Sequence, residues 1–153
     1  MSSATDTDID KNPLRLIGHI NRTFTRVVDQ PIKELGFAVS QLPVLVMLKR
    51  HGPSSQAGLA RVAQVEQPSM AQLLNRMERD GLVERVADPD DGRSKLISLT
   101  KQAARQMPKG KAVMDAACQR ALAGLSEAEQ AQLHALLLRV SVNLEQAVRE
   151  ETL

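Results

Sequence analysis

"EQPSMAQLLNRMERDGLVERVADPDDGRSKLISLT" (residues 66–100) is the stretch that decides the fold. Met70, Leu73, Leu74 and Met77 recur at i, i+3, i+4 and i+7, the spacing of one apolar helical face. Pro68 opens this helix, in a position where its missing N–H costs little. Gly81, directly after Asp80, is a stop signal, and Leu82 beyond it is placed to fold back onto the helix. "LVERV" (82–86) and "KLISL" (95–99) read as two paired strands, and the turn-forming residues between them complete a hairpin.

The helix has a second face that the core does not need. It carries Ser69, Gln72, Asn75, Arg76 and Arg79. Amides offer paired donors and acceptors to base edges, and arginines clamp phosphate or guanine. An ordinary solvated face is the alternative. The segment just before favours the first reading. A short helix with Leu59, Ala60, Val62 and Ala63, then a turn at Gln64 to Gln67, makes the two-helix unit that enters a major groove. Backbone N–H groups at the start of the second helix add an attraction for anions.

"DPDDGRSKLISLT" (88–100) allows three readings. A calcium loop fails on counting. Placing the sixth-position glycine at Gly92 puts Ala87 first, Pro89 third and Ser98 twelfth, where a bidentate glutamate is required. A solvated turn is the plain reading. The third is a wing, with Arg93 entering a minor groove, whose narrow form concentrates negative potential. Asp91 is then expected to hold the Arg93 guanidinium in place. Asp88 and Asp90 are left to turn formation and solvation.

Outward from this block the pattern is helical. Leu14, Ile17, Ile20, Phe24, Val27 and Val28 predict a first helix from about Pro13, with a break or kink near Gln30 because Pro31 follows. A second helix is expected from Ser40 as N-cap, with Leu42, Leu45 and Leu48 inward and "HGP" (51–53) as its end. From Lys101 to about Ala123 the chain reads as helix, interrupted locally at Pro108 and Gly110. "LSEAE" (125–129) holds a capping box, Ser126 with Glu129, before a long stripe of Leu133, Leu136, Leu137, Val140, Leu144 and Val148. The order is helix, helix, helix–turn–helix, hairpin, helix, helix: a mostly α fold with one small β-hairpin.

Composition narrows the function. The 153 residues suffice for one domain with a real core, and aromatic content is only 1%, from Phe24 and Phe37. That disfavours single-strand or RNA binding through aromatic platforms. The net charge of +2 says little by itself. Its distribution says more: Arg93, Lys95, Lys101, Arg105, Lys109 and Lys111 follow one another with no acid between them, whereas Asp6, Asp8 and Asp10 lie in a lead (1–12) expected to be disordered. No secretory signal is seen, and the longest apolar run, "LPVLVML" (42–48), is too short to span a bilayer, so a cytoplasmic protein away from membranes is expected.

The 66–100 block resembles the MarR/SlyA family of winged helix-turn-helix transcription regulators. The matching pieces are the proline-opened helix, "GLVER", the Asp-x-Arg of "DGR", and the closing "LT". The helix order is similar over about residues 13 to 150. The resemblance implies a homodimer on a palindromic double-stranded DNA operator, most simply a repressor. It places Gln67, Pro68, Ser69, Gln72, Asn75 and Arg76 at or near the major groove, and Ser55 and Arg85 near phosphates. Arg93 becomes the wing arginine, with Asp91 and Lys95 beside it. It divides the chain into the lead (1–12), an N-terminal dimerisation helix (13–37), the DNA-binding domain (38–100) and C-terminal dimerisation helices (101–153). It also implies release by a small, often phenolic, anion, for which Arg22 and Arg26, one helical turn apart, and Phe24 are the candidate contacts. A solvated or salt-bridged pair is the alternative for the two arginines. The chain departs from the family in having Gln72 where the SlyA branch carries arginine, Val44 where an aromatic often lines the ligand cleft, and Ala103 where glycine is common.

Other chemistry is poorly supplied. Cys118 is the sole cysteine, so an intramolecular disulfide is excluded. Peroxide-sensing relatives carry their reactive cysteine in the first helix, and here that helix has none. Cys118 is therefore expected to be a small buried packing residue, with a redox role through an intersubunit disulfide as the alternative. His19, His51 and His134 lack metal-ligand spacing, and no nucleophile–base set or phosphate-cradling glycine loop is present. Neither an enzyme nor a cofactor is expected. The rival class is a winged-helix module that binds an acidic protein partner.

Overall fold

The structure, a computed structural model, describes residues 11–151. The acid-rich lead around Asp6, Asp8 and Asp10 lies outside them. The described residues form α1 (Pro13–Glu34), a 3₁₀ turn (Val39–Gln41), α2 (Leu42–His51), α3 (Gln56–Ala63), α4 (Gln67–Arg79), β1 (Val83–Ala87), β2 (Lys95–Leu99), α5 (Lys101–Ala121) and α6 (Glu127–Glu151). This is a mostly α winged helix-turn-helix fold. The chain divides into two compact units, Met1–Ala117 and Cys118–Leu153.

The first unit is built around one apolar cluster. Val28 and Ile32 of α1, Leu45 and Leu48 of α2, Leu59 of α3, and Met70, Leu74 and Met77 of α4 are all buried. Each such side chain contributes about 1.5–3 kcal/mol through removal of its surface from water. That gain explains why Pro31 does not end α1, so that of the break or kink expected near Gln30 the break does not occur. The proline costs about 3 kcal/mol, but Val28 and Ile32 on either side of it are anchored, and the helix runs on to Glu34. Pro108 and Gly110 likewise leave α5 continuous, because Ala103, Gly110 and Ala117 hold one face of it in the core. Ser40 is not the N-cap of α2. It lies within the 3₁₀ turn, and α2 starts at Leu42, with Pro43 in its first turn.

The hairpin pairs Val83 with Leu99, Arg85 with Ile97 and Ala87 with Lys95, in antiparallel register. Sequence reasoning missed a third partner. Ser54, just before α3, exchanges both backbone bonds with Ile97, at 2.9 and 2.8 Å. A one-residue bridge has no periodicity to read, yet it makes β2 the middle of the sheet and seats the hairpin against the start of the helix-turn-helix.

In the second unit the capping box forms as expected. Ser126 Oγ accepts from the Glu129 amide at 3.2 Å, and the Ser126 amide donates to Glu129 Oε2 at 2.7 Å. No residue of α6 is buried, and Leu136, Leu137, Val142, Leu144 and Val148 are exposed. Cys118 is exposed, which corrects the expectation of a buried thiol. Helical geometry supplies the reason: its neighbour Ala117 takes the inward position, and one residue further the side chain has turned by about 100°.

Candidate nucleic-acid interface

The helix-turn-helix is held by local chemistry. Ser55 caps α3, its hydroxyl accepting from the Gly58 amide at 3.0 Å. The turn passes through Gln64 in the left-handed region, φ 55°, where the Val65 amide reaches back to Ala60 O at 3.0 Å. Gln56 Nε2 donates to Gln67 Oε1 at 3.5 Å and links the starts of the two helices.

In α4, Met70, Leu74 and Met77 point inward, while Gln67, Pro68, Ser69, Gln72, Asn75, Arg76 and Arg79 are all exposed. Among the described residues no side chain caps the α4 N-terminus, which leaves first-turn N–H groups open to an anion. The helix closes in the manner expected of Gly81. Gly81 adopts φ 74°, its amide bonds to Glu78 O at 3.0 Å, and the Leu82 amide bonds to Met77 O at 2.9 Å.

Arg85 is committed within the protein. From β1 its guanidinium pairs with Glu78 of α4 through Nη1, and Nη2 donates to Asn75 Oδ1 at 3.0 Å. A residue expected near phosphate thus first joins the sheet to the face of α4.

At the hairpin tip Asp91 does not hold the Arg93 guanidinium, as the sequence had led us to expect. Its Oδ1 accepts from the Arg93 backbone amide at 3.0 Å and its Oδ2 from Ser94 Oγ at 2.8 Å. A short carboxylate two residues upstream is well placed to close a turn on main-chain N–H and badly placed to reach a long side chain. Asp88 does the same for the Asp90 amide at 2.9 Å, so turn formation accounts for it. Arg93 is exposed, and among the described residues no ion pair engages its guanidinium. Lys95, opening β2, is exposed as well.

The two hydrogen bonds hold the Asp91 carboxyl below the usual carboxylate range, that to the Arg93 amide first and that to Ser94 second. The ordering of the turn by this ionised group is therefore fully present above the unfolded value of about 3.9. It is lost as the pH falls through the lowered folded value. The Arg93 amide resonance is expected to move with a midpoint below 3.9 in the wild type and to stay still in Asp91→Asn. A midpoint at or above the unfolded value contradicts the assigned hydrogen bonds.

Two organising residues escaped sequence reasoning. Gln41 is buried, its Oε1 accepting from the Ala38 amide at 2.8 Å and its Nε2 donating to Asp80 Oδ2, at the α4 C-terminus, at 3.4 Å. Thr100 caps α5, accepting from the Ala103 amide at 3.1 Å, while its hydroxyl donates to Gly81 O at 2.7 Å. Only the "LT" match hinted at the threonine. Of the effector candidates, Arg22 and Arg26 are exposed on α1 and Phe24 is half-buried. Arg26 Nη2 is 3.5 Å from Thr23 Oγ1. Phe37 and Val44 belong to the core, so neither is open to a ligand at the surface.

A helix-turn-helix with an exposed amide-and-arginine face, followed by a hairpin with a projecting arginine, defines a winged helix-turn-helix DNA-binding protein. Comparison with known proteins agrees. The MarR family model matches residues 35–94. HTH-type transcriptional repressor IacR of Pseudomonas putida is 26% identical over 133 residues, 87% of this chain and 80% of that protein. A probable transcriptional regulator from Pseudomonas aeruginosa has a solved structure 30% identical, with TM-score 0.76, covering 86% of this chain and 98% of its own. The S. aureus MepR–DNA complex is 25% identical, with TM-score 0.77, covering 88% of this chain and 98% of the other. The chain belongs to the MarR/SlyA family of winged helix-turn-helix transcription regulators.

Proposed function

We propose that the protein is a repressor that binds a palindromic operator as a homodimer. The observation that carries this reading is the exposed polar face of α4, set beside a hairpin whose Arg93 guanidinium is free of ion pairs among the described residues. Gln67, Pro68, Ser69, Gln72, Asn75 and Arg76 meet the major groove, Ser55 lies at the backbone, Lys95 adds charge, and Arg93 enters the minor groove. Asp91 shapes the tip that presents Arg93. Arg85 acts mainly by joining β1 to α4.

Dimerisation is assigned to residues 13–37 and 101–153. Leu14, Leu16 and Ile20 of α1 are exposed, as is the leucine-rich stripe of α6, and surfaces of this kind call for a partner. Two-fold symmetry then sets half-sites about one helical turn apart. The proposed release signal is a small anion or phenol that contacts Arg22, Arg26 and Phe24. It acts only through different affinities for the DNA-bound and free conformations.

The test is retardation of the chain's own upstream DNA at low salt, repeated across a salt series and with unrelated duplex. Retention of the upstream fragment at salt concentrations that release the unrelated duplex is expected. Equal release of both leaves no operator to regulate.

A further inference from the structure

In the first unit, the large apolar side chains left exposed beyond α1 are, among the described residues, Val46, Val62 and Val65. Val62 and Val65 flank the turn of the helix-turn-helix. The main chain fixes Val65 there. Gln64 takes the left-handed conformation, its amide bonds to Arg61 O at 3.3 Å, and the Val65 amide bonds to Ala60 O at 3.0 Å. The valine is thereby held at the surface, 42% exposed. Pro68 follows in the first turn of α4. It shares with Gln72, Asn75 and Arg79 the stripe at i, i+4, i+7 and i+11, opposite the buried Met70, Leu74 and Met77. The polar face of α4 thus begins with a rigid apolar ring, and a second apolar group stands just before it.

The base edges of the major groove carry one apolar group, the C5-methyl of thymine. The amides and arginines of the α4 face are suited to donors, acceptors and phosphates, and an apolar side chain is what suits a methyl. We infer that Val65 and Pro68 form an apolar edge that reads the C5-methyl of a thymine in each half-site. The contact takes the methyl and the side chains facing it out of water together. It identifies a chemical group rather than a base. 5-Methylcytosine carries the same methyl at the same ring position, so C5 methylation of a cytosine placed there strengthens binding. The inference rests on the proposed placement of α4 in the major groove, and it adds a contact that the polar residues of that face do not supply.

The experiment begins with selection of sites from a random duplex library by the full-length chain. Each thymine of the selected half-site is then replaced by uracil, symmetrically in both halves. The exchange removes the methyl and keeps every hydrogen-bonding group of the base. One thymine is expected whose replacement weakens binding about fourfold per half-site, hence about fifteenfold for the duplex, the worth of roughly one buried CH₂ group at each. At that position 5-methylcytosine is expected to bind more tightly than cytosine by a similar factor. The variants are Val65→Ser, Pro68→Ser and the two combined. The ratio of thymine to uracil affinity falls part way in each single variant and to about one in the combined variant. A general loss of grip lowers both affinities and leaves their ratio alone, so a merely structural role does not move it. The absence of any such thymine overturns the inference. So does a ratio unchanged in the combined variant, which assigns the effect to another side chain or to duplex stiffness, and so does 5-methylcytosine no better than cytosine. A changed sedimentation of the free combined variant, with the ratio unaltered, makes the edge a protein contact and also overturns it. If the wild type selects no sequence at all, the DNA reading itself fails, a result plainly distinct from the others.

Discussion

Arg93→Ala is expected to weaken operator binding by about 1–3 kcal/mol for each half-site that loses its arginine, which is tenfold or more for a dimer with two wings. The Arg93 side chain is exposed and is engaged by no ion pair among the described residues. The turn beneath it is closed by Asp91 through the backbone amide of position 93, which alanine retains. The substitution should therefore leave stability and the proposed dimer unchanged. Titration of labelled operator at several salt concentrations supplies a second readout. Losing one cation from each half-site should flatten the salt dependence by about one charge per half-site. Unchanged affinity, with the dimer intact by sedimentation, would remove Arg93 from the interface and leave α4 to carry recognition alone.

Leu74→Ala has the opposite profile. Leu74 lies on the same helix as Gln72 and Asn75 but is wholly buried in the core. Truncation removes transfer free energy and leaves a cavity, together about 2–5 kcal/mol. For a chain of this length that lowers Tm by roughly 4 °C or more. Gln72→Ala, two positions earlier and exposed, should stay within about 0.5 kcal/mol of wild type while altering DNA affinity. Chemical denaturation at a fixed protein concentration measures both, since association adds to apparent stability. Equal stability of the two variants would mean that α4 does not seat as described.

What the sequence made legible follows from the range of the forces involved. The α4 helix, its stop at Gly81 and the hairpin are specified within a few residues by apolar spacing and turn chemistry, and each was readable. Pro31 and Pro108 misled because their penalty is local while the compensation, burial of Ile32 or Ala103, comes from distant segments. The Ser54–Ile97 bridge and the Gln41–Asp80 contact join residues about forty apart and leave no periodic trace. Asp91 misled for a simpler reason: opposite charge suggests pairing, whereas the nearer backbone amide competes better for a short carboxylate. The outward face of α4 could be listed from helical spacing, but the direction in which Asn75 points its amide depends on Arg85, ten residues away.

Gly81 has a mechanical consequence. The last turn of α4 closes on it, the Thr100 hydroxyl holds its carbonyl, and the Thr100 amide holds Leu82 O at 3.1 Å. No slack segment separates the reading helix from the hairpin. On the proposed reading, a probe of the wide groove and a probe of the narrow one are thus machined into a single part, like the two jaws of a fixed-gauge calliper. Such a part does not adjust its span to the duplex, so a duplex whose groove spacing differs has to deform to be gripped. The spacing of the grooves, as well as the bases within them, then becomes something the protein measures.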